Sequence, residues 1–184
     1  MKILGFSGKA GCGKDTAADV LVRAGWAKYS LASPIKVALC NLFGLTMRHF
    51  EDRDLKEAVI PWIGRSPRQL AQTLGTEWGR NQVARDIWLR CADKFIQDRL
   101  LESADSEIPT PQGFVIPDVR FESEAGWSRS NGGLIVHLTR PGVAPVSAHA
   151  SEAGICFNEG DLSIVNDGSV VDLANRVKFA AASL

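Results

Sequence analysis

The segment Gly8-Lys9-Ala10-Gly11-Cys12-Gly13-Lys14-Asp15-Thr16 carries the densest chemistry in the chain. Its spacing is G-x-x-x-x-G-K. Glycines let a backbone curl tightly around an anion, with successive N–H groups pointing inward. A helix that begins at the last glycine adds partial positive charge, and a lysine placed there reaches the outer phosphates of a triphosphate. The flanks agree with that chemistry. Lys2 to Ser7 reads as a short buried strand, and Asp15 through Ala24 as a helix. A glycine-rich turn that merely contains a lysine would need neither flank. Gly8, Ala10, Gly11, Cys12, Gly13, Lys14, Asp15 and Thr16 are therefore the candidate residues for a nucleotide triphosphate. Lys14 is also the first candidate catalytic group.

One residue departs from the general pattern. The position after the lysine should hold Ser or Thr, whose hydroxyl binds magnesium; here it is Asp15, followed by Thr16. A carboxylate is a good hard ligand for magnesium, but beside phosphates it requires a nearby cation. Asp15 either binds the metal, directly or through water, or caps the helix while Thr16 takes the metal role. The departure disfavours a switch GTPase or a large ATPase. A guanine-reading Asn-Lys-x-Asp is also absent, since no asparagine precedes a lysine.

Two further constellations could bind an acceptor. Asp118 and Arg120 stand two apart after an apolar run, so in a strand they would share a face. The carboxylate suits the magnesium or acceptor side, and the guanidinium suits a bidentate grip on phosphate. A surface ion pair at a strand end is the plainer alternative. Glu124, four residues on, either orients Arg120 or is a solvated helix residue. Arg68, Gln69, Gln72, Gly75, Thr76 and Trp78 form the second group. Arg68 and Gln72 share one helix face, with an ordinary polar face as the alternative. Trp88, at helical spacing, reads more readily as core than as a ligand stack. His137, on an apolar strand, reads as a hydrogen-bonded core residue.

The elements that must position these groups alternate between apolar runs and amphipathic stretches, as in a parallel sheet covered on both faces. Ala27–Leu31 reads as a short strand, and Ser33–Phe43 as a helix stopped by Gly44. Ser66-Pro67-Arg68-Gln69 has an N-cap serine, proline at the first helical position and glutamine three after the cap. That helix should run to about Trp78 or Gly79. Another starts at Asp86, with Trp88, Ala92, Phe95 and Ile96 on its apolar face. Ser103–Gln112 reads as a loop, and Phe114–Val119, Leu134–Leu138 and Leu162–Val165 as strands. Pro117 restricts its strand to an edge or to a strand end. Asn166-Asp167-Gly168 turns into a final helix capped near Ser169. Ligands should then sit at the carboxyl ends of the strands.

At 184 residues, with 45% hydrophobic and 23% charged residues, the chain is long enough for one α/β domain with a full core. A formal net charge of +0 disfavours nucleic acid as the main partner. The sequence has no apolar run long enough to span a membrane and no secretory signal. Cys12, Cys40, Cys91 and Cys156 lack C-x-x-C spacing and read as reduced thiols of a cytosolic protein.

Taken together, several segments resemble the deoxynucleoside monophosphate kinases of tailed bacteriophages. They are Gly8-x4-Gly13-Lys14-Asp15-Thr16, Leu31-Ala32-Ser33-Pro34-Ile35-Lys36, Leu74-Gly75-Thr76-Glu77-Trp78-Gly79-Arg80, Trp88, Ile116-Pro117-Asp118-Val119-Arg120-Phe121-x-x-Glu124 and Asn166-Asp167-Gly168. They span nearly the whole chain in the family's order, and the Gly-Lys-Asp-Thr ending is itself typical of that family. The resemblance implies a three-layer, nucleoside-monophosphate-kinase-like P-loop fold. It implies ATP with Mg2+ and a deoxynucleoside monophosphate acceptor, and the host cytoplasm if the chain is phage-encoded. It places Lys36, Arg68, Gln72, Gly75, Thr76, Trp88, Asp118, Arg120 and Glu124 around the acceptor nucleotide. It leaves monomer and homodimer both open. A single domain over 1–184 is expected, with an acceptor-binding helical region at about 45–103.

An acceptor phosphate is already an anionic nucleophile, so such a reaction needs positioning and charge neutralisation rather than a strong base. Arg140, in Thr139-Arg140-Pro141-Gly142 after a strand, is the candidate for a mobile arginine, with a lid over about 140–158. Asn166 and Gly168 would present backbone groups to adenine. Another small-molecule P-loop kinase and a non-catalytic nucleotide-binding module are the rival readings.

Overall fold

The structure is a computed structural model that describes residues 1–105, 107–142 and 154–184. Its strands are β1 (Ile3–Ser7), β2 (Ala27–Lys28), β3 (Phe114–Ile116), β4 (Leu134–Thr139) and β5 (Leu162–Val165). Its helices are α1 (Lys14–Arg23), α2 (Ser33–Phe43), α3 (Arg48–Glu51), α4 (Arg53–Glu57), α5 (Pro67–Gln72), α6 (Ile87–Asp105), α7 (Glu122–Ser130) and α8 (Val170–Ala182). A π-helical stretch, Thr73–Val83, follows α5. The chain divides into two compact units, one of Met1–Ser30 with Lys94–Leu184 and one of Leu31–Asp93. Among the described residues no helix is long and apolar enough to cross a membrane.

The first unit is built on one parallel sheet in the order β2-β3-β1-β4-β5. Every residue of β1 is buried, as a central strand covered on both faces requires. Alternation along β1 separates the two faces. Leu4 and Phe6 join Ala17, Val20 and Leu21 of α1 and Leu173 and Val177 of α8 in one core cluster. Gly5 faces the other way, where a Cβ would come within 2.9 Å of Val119 and 3.6 Å of Ser128 on α7. The result is a three-layer α/β fold. Each fully buried aliphatic side chain contributes about 1.5–3 kcal/mol to it.

The expected strands are present, with shorter ends. β3 stops at Ile116 rather than Val119, because Pro117 has no N–H to continue the ladder. β3 is an inner strand, so of the two placements open to Pro117 the structure takes the strand end. Asp118 and Arg120 therefore lie beyond the strand, and the pleat does not fix their common direction. β2 covers only Ala27–Lys28, although Tyr29 still donates to the Val115 carbonyl at 3.0 Å. The expected loop from Ser103 starts later, since α6 continues to Asp105. There the Ser103 hydroxyl bonds back to the Arg99 carbonyl at 2.8 Å.

The second unit has its own core of Ile35, Leu39, Phe50 and Trp88, with Leu70, Ala71 and Leu74 packed against it. The helix expected to reach Trp78 or Gly79 keeps α geometry only to Gln72. Beyond that it widens into the π-helical stretch. Gly75 and Gly79 weaken the α preference there, and the indole of Trp88 lies so close that a Cβ on Gly79 would approach it to 2.4 Å.

The start of α5 is as the sequence predicts. Ser66 accepts from Gln69 N at 3.3 Å, and the Gln69 side chain accepts from Ser66 N at 3.0 Å. Ser66 is buried, so no water replaces its hydroxyl. Ser66→Ala is expected to cost about 1 kcal/mol and to lower Tm by about 2–4 °C in a thermal melt.

Candidate active site

The phosphate loop runs from the end of β1 to the first turn of α1, held at both of its outer glycines. Gly8 has φ 147°, and a Cβ there would lie 2.1 Å from the Leu138 carbonyl oxygen of β4. Gly13 has φ 106°, and its Cβ would meet the Asn166 amide nitrogen at 2.6 Å. Only glycine satisfies both the backbone sign and the approach. Asn166, just past β5, donates from its side chain to the Cys12 carbonyl at 2.9 Å and from its backbone to Thr139 O at 2.7 Å. Asn166 thus clamps the loop through its side chain, a role its sequence position did not signal. Gly168 sits beside Asp172 in the turn that opens α8. Gly11 is exposed, and Cys12 is buried beneath the loop.

Lys14 Nζ donates to the carbonyls of Gly8 at 2.6 Å and Lys9 at 2.8 Å. Its charge thus rests on the loop's own carbonyls, directly over the cradle. Asp15 and Thr16 occupy the first turn of α1, both exposed. Asp15 engages Lys28 of β2 at 3.4 Å, and Lys28 also holds Asp19 at 2.9 Å. Burial by itself would lower the pKa of Lys28. The hydrogen bond to Asp19 and the charges of both carboxylates outweigh it, so the ammonium is held above its ordinary value.

In the first unit, Asp118 Oδ2 accepts from the Ser30 hydroxyl at 2.6 Å. Glu124 is buried rather than solvated. Its Oε2 accepts from the backbone N–H of Arg120 at 2.6 Å and of Phe121 at 3.1 Å. Phe121 at the N-cap of α7 has no acceptor of its own, so Glu124 satisfies the N–H groups that open this helix. β1 and β3 pair in parallel, Gly5 beside Ile116, which brings the phosphate loop and the Asp118–Arg120 segment to the carboxyl ends of adjacent strands. Arg140 is exposed immediately after β4. Most of the expected lid, 143–153, lies outside the described residues.

Within the second unit, Arg68 Nε pairs with Glu57 of α4. Gly75 is buried, and its carbonyl accepts the Trp88 indole N–H at 2.7 Å. Trp88 is thus a core residue that fixes the backbone of Gly75, as its helical spacing allowed. Gln72, Thr76 and Lys36 are half-buried on α5, the π-helical stretch and α2. The expected acceptor group is therefore divided, with Lys36, Arg68, Gln72, Gly75, Thr76 and Trp88 in one unit and Asp118, Arg120 and Glu124 in the other.

A further network lies in the first unit. Asp161, whose side chain is only 2% exposed, accepts from Arg129 of α7 at 3.0 and 2.7 Å and from Asn158 N at 3.0 Å. It also meets His137 Nε2 of β4 at 2.9 Å. Arg129 and Asp161 are 32 residues apart, so no local spacing announced the pair. His137 is hydrogen-bonded as expected.

A parallel sheet in this order, with a glycine loop that leaves its central strand and opens a helix, defines a P-loop α/β protein. The chain belongs to the deoxynucleotide monophosphate kinase family, which matches residues 61–177. It is similar to the deoxynucleotide monophosphate kinase of Enterobacteria phage T4, 27% identical with 97% of this chain and 98% of that protein covered. It is also similar to a putative deoxynucleotide monophosphate kinase of Acanthamoeba polyphaga mimivirus, 30% identical with 96% and 94% covered. Among solved structures it aligns with a dephospho-CoA kinase from Campylobacter jejuni at TM-score 0.47 and 15% identity, covering 100% of this chain and 97% of that one.

Asp161 also sets a pH dependence. Burial alone would raise its pKa, but Arg129, the Asn158 N–H and His137 hold it below the ordinary carboxylate value. A depressed folded-state pKa contributes stability that is fully present above the unfolded value and lost as pH falls through the folded one. From about pH 5 downward the wild type should therefore lose stability more steeply than Asp161→Asn. Urea unfolding midpoints measured across that range check this; parallel slopes would remove Asp161 from the acid response.

Proposed function

We propose that this chain transfers the γ-phosphoryl group of ATP to a deoxynucleoside monophosphate, giving the diphosphate. The observation that carries the reading is the loop from Gly8 to Lys14. Its glycines meet β4 and Asn166 too closely for side chains, and Lys14 Nζ already sits on the loop carbonyls. Membership of a family of kinases supports phosphoryl transfer as the use of that loop.

The chemistry follows from charge and position. Backbone N–H groups of the loop and the N-terminus of α1 receive the β- and γ-phosphates. Lys14 exchanges its two carbonyl partners for phosphate oxygens, and its charge is worth most where negative charge develops between donor and acceptor. Arg120 holds the acceptor phosphate with a planar fork, its backbone pinned by Glu124. Asp118, oriented by Ser30, stands beside it. Within the second unit, Lys36 and Arg68 are the cations suited to an acceptor phosphate. In the same unit Gln72 and Thr76 suit a base and sugar, and Trp88 fixes the backbone of Gly75. Arg140, exposed just after β4, covers the transferring group. The exposed hydroxyl of Thr16 is a hard oxygen donor of the kind magnesium takes. Magnesium bound there would neutralise charge on the triphosphate.

A coupled assay with ATP and each common ribo- and deoxynucleoside monophosphate tests the reading. Turnover confined to another phosphorylated acceptor would replace it. Lys14→Ala is expected to lower kcat by about 10²-fold or more, with an unchanged circular dichroism spectrum. Near-normal turnover in that folded variant would sink the role of the loop. Arg120→Lys keeps the charge but loses the fork, so KM for the acceptor should rise about tenfold while the Kd for ATP stays within about twofold. Equal loss of both would place Arg120 on the ATP side.

A further inference from the structure

Asp15 adds a negative charge on the first turn of the helix whose N-terminus faces the phosphates. Left bare, it would repel a nucleotide. The structure pairs it. Asp15 and Asp19 are four residues apart and share one face of α1. Lys28, on the edge strand β2, sets its ammonium 3.4 Å from one carboxylate and 2.9 Å from the other. The lysine side chain is 30% exposed, against 86% for Asp15 and 54% for Asp19, so it is the anchored partner and the carboxylates come to it. The opposite side of the loop is closed by Leu138 of β4 and by Asn166. The phosphate loop is thus held from both sides, by backbone and amide contacts on one and by an ion pair on the other.

We propose that Lys28 is a positioning residue for the phosphate loop. Its ammonium holds the Asp15 carboxylate on the β2 side of α1 and neutralises it, which leaves the helix N-terminus open to a nucleotide phosphate. This rests on ATP being the ligand of the loop. Lys28 never touches that ligand; it acts through Asp15. A metal ion is then not needed to make Asp15 tolerable beside a triphosphate, and the metal-side contact falls to Thr16.

The test is ATP binding by calorimetry on the full chain, in chelator and again in excess magnesium. Lys28→Met frees a carboxylate beside the phosphates, so the Kd in chelator should rise about two- to fivefold, from the size of charge effects at an exposed helix terminus. Magnesium should recover most of that loss, so the ratio of the two Kd values grows. Asp15→Asn placed on top of Lys28→Met should return the ratio to that of the wild type, and Lys28→Arg should leave it there. If Lys28→Met does not fold, Asp15→Asn alone decides. With Lys28 already neutralising Asp15, its Kd should stay within about twofold of wild type in both conditions. An unchanged ratio in folded Lys28→Met overturns the role of Lys28. So does a large tightening of Asp15→Asn in chelator, or a large weakening of it in magnesium. Failure of the wild type to bind ATP at all would instead overturn the nucleotide reading, and this inference with it.

Discussion

The closest constraint in the molecule is the approach of the Gly8 backbone to the carbonyl of Leu138. A strand that ends in a phosphate loop must turn its N–H groups inward within a few residues, and without an anion those groups have no partner at the centre of the loop. Here the neighbouring strands hold it. β4 supplies a carbonyl that excludes any side chain at Gly8, and the residue after β5 supplies an amide that binds the Cys12 carbonyl. The parallel order β1-β4-β5 is what brings those two groups to the loop. Preorganisation of this kind matters because donors that are already aimed cost no reorganisation when charge develops.

The same end of the sheet is rich in carboxylates, which at first sight opposes phosphate binding. Each is engaged by a local partner. Asp15 is held by Lys28, Asp118 by the Ser30 hydroxyl, Glu124 by two backbone N–H groups and Asp167 by Arg176. A carboxylate bound in this way contributes little net negative field outward, while it fixes the element that carries it. A formal net charge of +0 is therefore compatible with a strongly anion-binding site.

The sequence announced features governed by local chemistry and missed those governed by contacts across the fold. The loop spacing, the Ser66 and Ser169 caps and the strand Leu162–Val165 rest on residues within a few positions of each other, and the structure has them where they were expected. The π-helical stretch was not legible, because over eleven residues apolar spacing does not distinguish one helical period from the next. It depends on Gly75 and Gly79 meeting Trp88, a tertiary fact. α7 was missed because its N-cap, Phe121, has no capping side chain, and the residue that does the work lies three positions on. At the candidate site, Gly8, Gly13 and Lys14 were readable from type and spacing. Lys28, Ser30 and the side chain of Asn166 were not, since each acts on a residue from another element.

Glu124 shows how such an indirect group shapes the chemistry. A planar guanidinium grips phosphate with two parallel hydrogen bonds only if its approach angle is right, and a long side chain on a loose backbone samples many angles. Glu124 takes the backbone N–H of Arg120 at 2.6 Å and so restricts where that side chain starts. Its burial makes that bond costly to break, because a carboxylate left without donors in the interior has no water to replace them. The helix that begins at Glu122 benefits from the same negative charge at its N-terminus. One buried acid thus serves helix α7 and the arginine together.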